Sequence, residues 1–280
     1  MTVSWTTSQR CRLRELQVDE TVQEKRFPDA EERDRQYQKL EKRLVEAAKR
    51  RLRKYRDHYR RPALCRLESR LVEMLLEQGF VQVTTPTIMA GGLLKRMGID
   101  ELHPLFSKIY WLGEGKCLRP MLAPHLYFIL KDLLRLWERP VRLFEVGSCF
   151  RKESQGSRHS NEFTMVNIVE MGLPLENRKS RLEELTRAVM TAAGIEDYRL
   201  ERAASEVYGE TIDIVDGRNR LELGSSAMGP HPLDAAWRLH ETWIGVGFGL
   251  ERLLMAAGGW SSLGRLGRSI SYLDGISLSL

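Results

Sequence analysis

Arg252 closes the run Glu241-Thr-Trp-Ile-Gly-Val-Gly-Phe-Gly-Leu-Glu-Arg252, whose residue types alternate with period two. As a strand, it carries Trp243, Gly245, Gly247 and Gly249 on one face and Ile244, Val246, Phe248 and Leu250 on the other. Glycines along one face weaken a strand unless that face must admit a ligand or another backbone. The apolar face is therefore core, and the glycine face is the floor of a cavity walled at one end by an indole. Arg252 falls where the pattern turns helical, over Leu250–Met255, and its planar fork suits two oxygens of a nucleotide phosphate. The spacing of Gly247 and Gly249 also occurs in dinucleotide-binding folds. Those folds open a βαβ unit, however, and here Gly258, Gly259, Gly264 and Gly267 break up the remaining chain. A plain glycine-rich core strand is the competing reading.

Other residues add to this chemistry. Arg151, Lys152, Arg158 and His159 lie in a loop between two β-prone segments and suit a polyphosphate. Phe163, where the loop returns, offers a ring on which a base can stack. Asn167 sits mid-strand on the face of Phe163, Met165, Val169 and Met171. An amide buried there needs hydrogen-bond partners, from a neighbouring loop or from a ligand, or it costs about 1–3 kcal/mol. Glu222 and Ser225 on a later strand supply hard oxygens of the kind magnesium takes alongside phosphates.

The elements that must position these groups follow from periodicity. Leu64, Leu67, Leu71 and Leu75 make the stripe of a helix from Pro62 that stops at Gly79. Phe80–Pro86 and residues 104–112 read as strands, and Ala123–Leu136 as a helix. Strands at Pro140–Phe150 and Phe163–Met171 flank the cationic loop. A helix spans 175–193 and closes at Gly194, with strands at Val207–Val215 and Leu221–Ala227. The order predicts an α+β fold with a mainly antiparallel sheet flanked by helices.

At 280 residues, 42% hydrophobic and 29% charged, the composition is that of a globular protein, with room for one large domain and an appendage. Met1–Cys11 has no apolar signal-peptide core and no run is long enough to span a membrane, so a cytoplasmic location without membrane association is expected. Cys11, Cys65, Cys117 and Cys149 are scattered, which argues for reduced thiols over a disulfide or zinc framework. The net charge of +6 is concentrated. Lys39–Arg61 holds eleven Lys and Arg against Glu41, Glu46 and Asp57. Tyr37, Leu40, Leu44, Ala48, Leu52, Tyr55 and Tyr59 recur there at helical spacing. One stripe docks and the rest is a basic face suited to a polyanion. The expected division is a basic helical extension over 1–61 and one compact domain over 62–280.

These segments resemble the three signature motifs of class II aminoacyl-tRNA synthetases: the helix and strand ending at Pro86, then Phe150-Arg-Lys-Glu153 with its loop and returning strand, then Gly247-Phe-Gly-Leu-Glu-Arg252. Within that class the resemblance narrows to the catalytic domain of the pyrrolysyl-tRNA synthetases. It rests on Leu118-Arg-Pro-Met-Leu-Ala-Pro-His-Leu-Tyr127, Cys149-Phe-Arg-Lys-Glu-Ser154, Glu162-Phe-Thr-Met-Val-Asn167, Val207-Tyr-Gly-Glu-Thr211, Trp243–Arg252 and Ser271-Tyr-Leu-Asp-Gly275.

The resemblance implies ATP and magnesium, a homodimer, and a cognate tRNA that accepts pyrrolysine, an N6-acyl-lysine. By position, it implies that Arg151 holds the α-phosphate and Arg252 the γ-phosphate of a bent ATP. Glu153 and His159 then surround the adenine, Phe163 stacks on it, and Glu222 and Ser225 hold magnesium. Ala123, Leu126, Tyr127, Leu130, Val169 and Trp243 line the amino-acid pocket. Asn167 bonds the acyl amide, and Tyr208 comes from a mobile hairpin that closes over it.

His125 stands where the family has Asn. Glu222 and Ser225, three apart, need a bulge near Gly224 to share a face; otherwise Ser226 is the better partner. The tRNA-binding domain of fused archaeal members has no counterpart here. The resemblance is therefore to the split bacterial type or a form lacking that domain, with a separate tRNA-binding protein as a further expected partner and the 39–61 helix as a tRNA contact. The alternatives are a class II enzyme of phenylalanyl-like or phosphoseryl-like specificity, a synthetase-like protein without catalysis, and an RNA-binding module.

Overall fold

The computed structural model describes residues 2–153, 156–260, 262–268 and 270–280; Ser154 and Gln155 of the cationic loop lie outside the described residues. The chain divides into two compact units, Met1–Ala63 with Arg268–Leu280, and Leu64–Gly267. The break falls near the end of the basic run, and the C-terminal segment groups with the smaller unit.

In the smaller unit, β1 (Val3–Ser4), α1 (Thr7–Glu15), α2 (Glu20–Gln23) and β2 (Arg26–Phe27) precede the long helix α3 (Ala30–Lys54). Asp29 caps α3 by accepting the Glu32 N–H at 2.8 Å. Glu31 and Glu32 in the first turn and Arg51, Arg53 and Lys54 in the last complement the helix dipole. Tyr37, Leu40 and Leu44 pack against Trp5, Leu13 and Phe27, which is the docking stripe seen in the sequence. All eleven Lys and Arg of 39–61 are exposed. Of the acids among them, Glu41 pairs with Arg12, outside the basic run, at 2.9 Å. The helix starts earlier than the basic pattern and widens into a π-helix over Tyr55–Tyr59, ending at Arg60 with φ +54°. Pro62 cannot continue it. Asp274 of the C-terminal segment accepts the Ala63 N–H at 2.7 Å.

The larger unit opens with α4 (Ala63–Glu77), whose stripe Leu64, Leu67, Leu71 and Leu75 is buried, and turns at Gly79 with φ +78°. In the following extended segment only β3 (Val81–Gln82) joins a ladder. Then come β4 (Ile88–Ala90), α5 (Gly91–Arg96), β5 (Trp111–Gly113) and β6 (Lys116–Leu118), with the three strands forming a small sheet in the order β4-β6-β5. The strand expected over 104–112 is mostly a 3-10 helix, Pro104–Lys108. Pro104 stands in its first turn, where a missing N–H costs nothing.

The helix α6 (Ala123–Leu136), the strands β7 (Val141–Phe150) and β8 (Glu162–Met171), and α7 (Arg178–Ala193) match the expected positions. An unanticipated strand, β9 (Tyr198–Ser205), pairs with β10 (Gly209–Asp216); β11 (Glu222–Gly229), α8 (Asp234–Trp237), β12 (Trp243–Gly249) and α9 (Leu250–Gly258) complete the unit. The main sheet runs β3-β7-β8-β12-β11-β10-β9 and is antiparallel except at β3–β7, so the α+β expectation holds.

One sheet face buries Phe144, Val166, Ile168, Val246 and Phe248 against the apolar stripes of α4, α7 and α9. The other packs Leu143, Val169, Met171 and Trp243 with α6 and the small sheet. On the first face, Gly224 lets two strands close up. A methyl group there would sit 2.5 Å from the Gly247 carbonyl oxygen and from the Phe248 ring. Gly224→Ala should therefore cost about 1–3 kcal/mol in urea unfolding. Gly92→Ala, with nothing within 4 Å, should leave stability unchanged or raise it, so equal losses at the two sites would contradict this packing.

Candidate active site

The second sheet face opens into a cavity of about 440 Å³. Its floor is set by register. One cross-strand row runs Glu145–Asn167–Gly247–Ser225–Asp213, from β7 to β10. Residues directly opposite across a ladder share a face, so this row lines up polar groups with Gly247 as the gap between them. The next row, Leu143–Val169–Gly245–Ala227, is apolar. The alternation read from the sequence is realised: Ile244, Val246 and Phe248 are buried, while Gly245, Gly247 and Gly249 remain partly accessible.

The cavity brings together the fifteen residues whose roles the resemblance implies: Ala123, Leu126, Tyr127, Leu130, Arg151, Glu153, His159, Phe163, Asn167, Val169, Tyr208, Glu222, Ser225, Trp243 and Arg252; Lys152 of the cationic loop is exposed and does not line it. At its cationic end, Arg151 donates Nε–H to the Pro120 carbonyl at 2.9 Å and lies over the Phe163 ring at 5.4 Å. Burial pushes the Arg151 guanidinium down from its ordinary value, and Arg252 adds to this. Two cations held in one cavity create an anion site, because a phosphate relieves both the repulsion and the desolvation. Arg252 contacts the Glu222 carbonyl at 3.1 Å and its carboxylate at 3.3 Å. Glu153 donates its backbone N–H to Asn161 Oδ1 at 3.0 Å, and its carboxylate lies 3.6 Å from Lys108.

The β10–β11 register slips between Ile214 and Val215, so Leu223 is an extra residue beside Gly224. Of the two alternatives read from the sequence, a bulge near Gly224 or Ser226 as the partner, the bulge is present. It lets Glu222 and Ser225 both reach the cavity, while the Ser226 hydroxyl is spent on the Ile212 carbonyl at 2.8 Å. Ser225 donates to Asp213 at 2.7 Å, a cavity carboxylate that sequence reading missed. Among the described residues no three His, Cys, Asp or Glu cluster to hold a metal by themselves. Two carboxylates and a hydroxyl do fit magnesium, which completes its shell with water and substrate phosphates.

At the other end, Trp243 is buried, with its indole N–H donated to Asp234 at 2.8 Å. Tyr127 meets Trp243 edge-on at 5.9 Å and stacks on Trp237 at 5.4 Å. Burial pushes both the Tyr127 and Tyr208 phenols upward, so they remain neutral. The Asn167 side chain makes no hydrogen bond among the described residues. Of the two readings for that amide, the neighbouring-loop partner is not found among the described residues.

A buried polar network supports the cationic end. Arg119 Nη1 donates to Glu145 at 2.7 Å and to Thr85 at 3.0 Å, and Arg119 Nε to the Ser148 carbonyl at 2.8 Å. The Thr85 hydroxyl donates to Glu145 at 2.7 Å and stands 3.1 Å from His125 Nδ1. Its proton is already given to Glu145, so the His125 Nδ1–H is the donor. Burial lowers the His125 pKa, outweighing the pull of Glu145. Gly147 makes room, since a methyl group there would lie 2.1 Å from Arg119. The Arg119 carbonyl takes the Phe150 N–H at 2.9 Å, and the Pro120 carbonyl takes Arg151, so the network fixes Arg151. Sequence reading had Arg119 inside a motif without a role. Among the described residues, no helix is long and apolar enough to cross a membrane.

A profile of the class II tRNA synthetase core domain (F) matches residues 48–271, and the chain belongs to that family. The pyrrolysyl tRNA synthetase PylSc of Desulfitobacterium hafniense superposes with a TM-score of 0.89 at 49% identity, covering 99% of this chain and 96% of that one. A second structure of pyrrolysyl-tRNA synthetase from the same organism gives 0.92 at 50%, covering 99% of each. The particular resemblance read from the sequence is therefore sustained along nearly the whole chain. Lysine–tRNA ligases of Staphylococcus aureus are 26% identical over 151 residues, 53% of this chain. The match covers 27% of those proteins.

Arg119→Met should leave Glu145 buried without its cation and cost about 3–5 kcal/mol in urea unfolding. Adding Glu145→Leu should recover part of that loss, because the uncompensated charge is then removed. Strict additivity of the two single losses would show that the pair is not coupled.

Proposed function

We propose that this chain activates pyrrolysine or another N6-acylated lysine with ATP and transfers it to the 3′ end of a cognate tRNA. The observation that carries this reading is Asn167, an amide without a partner among the described residues, at the Trp243 end of the same cavity that holds the Arg151–Arg252 cation pair. An acyl amide on a long apolar stem offers Asn167 the partner it lacks, and its acyl group fills space that lysine leaves empty. The identity of about 50% with the pyrrolysyl-tRNA synthetases supports the same substrate class.

In this reading the substrate carboxylate attacks the ATP α-phosphorus in line, and pyrophosphate leaves. The aminoacyl-adenylate then passes to the terminal ribose of the tRNA, with no covalent enzyme intermediate. Arg151 stabilises charge at the α-phosphate and Arg252 at the γ-phosphate, while Glu153, His159 and Phe163 hold the adenine end. Glu222, Ser225 and the neighbouring Asp213 would hold magnesium, which offsets phosphate charge. The reading includes a cytoplasmic homodimer, with residues 62–280 as the catalytic domain and the 1–61 extension as a tRNA contact. A separate tRNA-binding protein is a further partner.

ATP–pyrophosphate exchange without tRNA tests the activation step. Exchange is expected with pyrrolysine and N6-acyl-lysines and not with lysine. Exchange with a standard amino acid would keep the class and overturn the substrate, and none at all would favour a non-catalytic protein. Asn167→Ala should lower kcat/KM for the acyl-lysine by about 10–100-fold with KM for ATP unchanged.

The basic face gives a second, separate test. Reversing Lys39, Arg43, Arg50 and Arg53, all exposed, should raise the tRNA KM and flatten its salt dependence while sparing exchange. Unchanged charging would remove the helix from the tRNA contact.

A further inference from the structure

The chain contains the triplet His-Pro-Leu twice, at His103–Leu105 and His231–Leu233. Both fold the same way. Proline has no N–H, and the following leucine N–H is donated back to the imidazole Nδ1, at 3.1 Å for Leu105 and 3.2 Å for Leu233. A nitrogen that accepts must be unprotonated, which places the proton of each neutral ring on Nε2. Both Nε2–H groups then point at one target. His103 reaches the Glu206 carbonyl at 3.1 Å and His231 the Tyr208 carbonyl at 2.9 Å.

That target is the turn of the β9–β10 hairpin. Here β10 pairs with β11 only from Ile212 onward, whereas Gly209, Glu210 and Thr211 pair with β9 alone. The tip is thus a two-stranded ribbon at the end of the sheet, a structure of marginal stability by itself. Its Val207 and Tyr208 N–H groups are taken by Ser205 Oγ, at 3.2 and 3.3 Å. The carbonyls on either side of Val207 go to the two imidazoles. Tyr208 then lies edge-on to Trp243 at 6.1 Å and to His231 at 5.7 Å. Asp234 Oδ2 ties the second histidine to that wall, accepting the His231 N–H at 2.7 Å and the Trp243 indole at 2.8 Å.

We propose that His103 and His231 are twin clasps, positioning residues that hold the hairpin tip and Tyr208 over the Trp243 end of the cavity. Their effect on substrate rests on the reading of that end as the amino-acid pocket. The clasp itself is tested without substrate, by hydrogen–deuterium exchange of the full-length protein over residues 205–211. Wild type is compared with His103→Ala/His231→Ala and with the double Gln variant, which keeps an N–H near the Nε2 position. The Ala pair should exchange about tenfold faster across the tip, with the Gln pair near wild type. In pyrophosphate exchange the Ala pair should raise KM for an N6-acyl-lysine about tenfold, with KM for ATP within about twofold, and Gln should restore it.

Unchanged exchange in the Ala pair, or Gln variants no better than Ala, would overturn the clasp. Faster exchange with no change in KM would overturn its role in holding substrate. If the wild-type protein activates no acylated lysine, the substrate reading fails alone, and deuterium exchange still decides the clasp. Should the Ala pair not fold, each single Ala variant carries the same comparison.

Discussion

A sheet can bind a ligand against its own face only where some strand gives up its side chains. In β12 that sacrifice falls at Gly245, Gly247 and Gly249. A methyl group at Gly247 would meet Met165 at 3.0 Å, and one at Gly245 would meet the Trp243 ring at 3.3 Å. Either would crowd the cavity floor. Everything else is arranged around that gap. Asn167 stands on one side of Gly247 and Ser225 on the other, in one row. The opposite face of the same strand supplies Ile244, Val246 and Phe248 to the core, so β12 is fixed by packing on the side where it carries side chains. A strand glycine weakens a sheet when nothing replaces its packing. Here the buried face and pairing on both edges compensate.

The second constraint is electrostatic. An arginine that must face phosphates is best immobilised beforehand, because reorganisation during the reaction raises the barrier. Arg151 is anchored through Pro120, and Pro120 follows Arg119, whose guanidinium is locked between Glu145, Thr85 and the Ser148 carbonyl. A buried ion pair is seldom a net gain over an apolar packing of the same volume. The value of this one lies in geometry: it pins three separate segments, the turn after β3, the approach to α6 and the middle of β7, to a common point. His125 fits that scheme as a neutral donor to Thr85, so a histidine serves where the family has Asn without adding a charge.

Much of this was legible because it is local. The alternation of Trp243–Gly249, the leucine stripe of α4 and the span of α6 each follow from one periodicity, and the cavity residues followed from motifs on those elements. The misreadings were cases where distant partners decide. Phe80–Pro86 has strand propensity, yet only Val81 and Gln82 join a ladder, since Thr85 is drawn instead into the Glu145 network. Residues 104–112 are interrupted because Pro104 and the capping His103 favour a 3-10 turn. Asp213 and Asp234 were invisible as site residues, because their roles depend on β10–β11 register and on a bond across to Trp243. The Leu223 bulge is an intermediate case: it was one of two ways the sequence left for Glu222 to share a face with a serine, and no pattern in the strand announced it.

In the proposed reading, selectivity in this cavity would come from two penalties that act together. A substrate ending in an ammonium group would have to bury a charge among Leu126, Leu130, Val169 and Trp243. It also leaves the Asn167 amide unpaired, and a buried polar group without a partner costs about 1–3 kcal/mol. An acylated lysine would avoid both, since its nitrogen is neutral and its carbonyl would meet the amide. Discrimination built on unmet polar groups reaches much further than discrimination by size, which yields about 1–3 kcal/mol per methylene. A single asparagine on a glycine-opened sheet can therefore carry a choice that would otherwise call for a separate editing site.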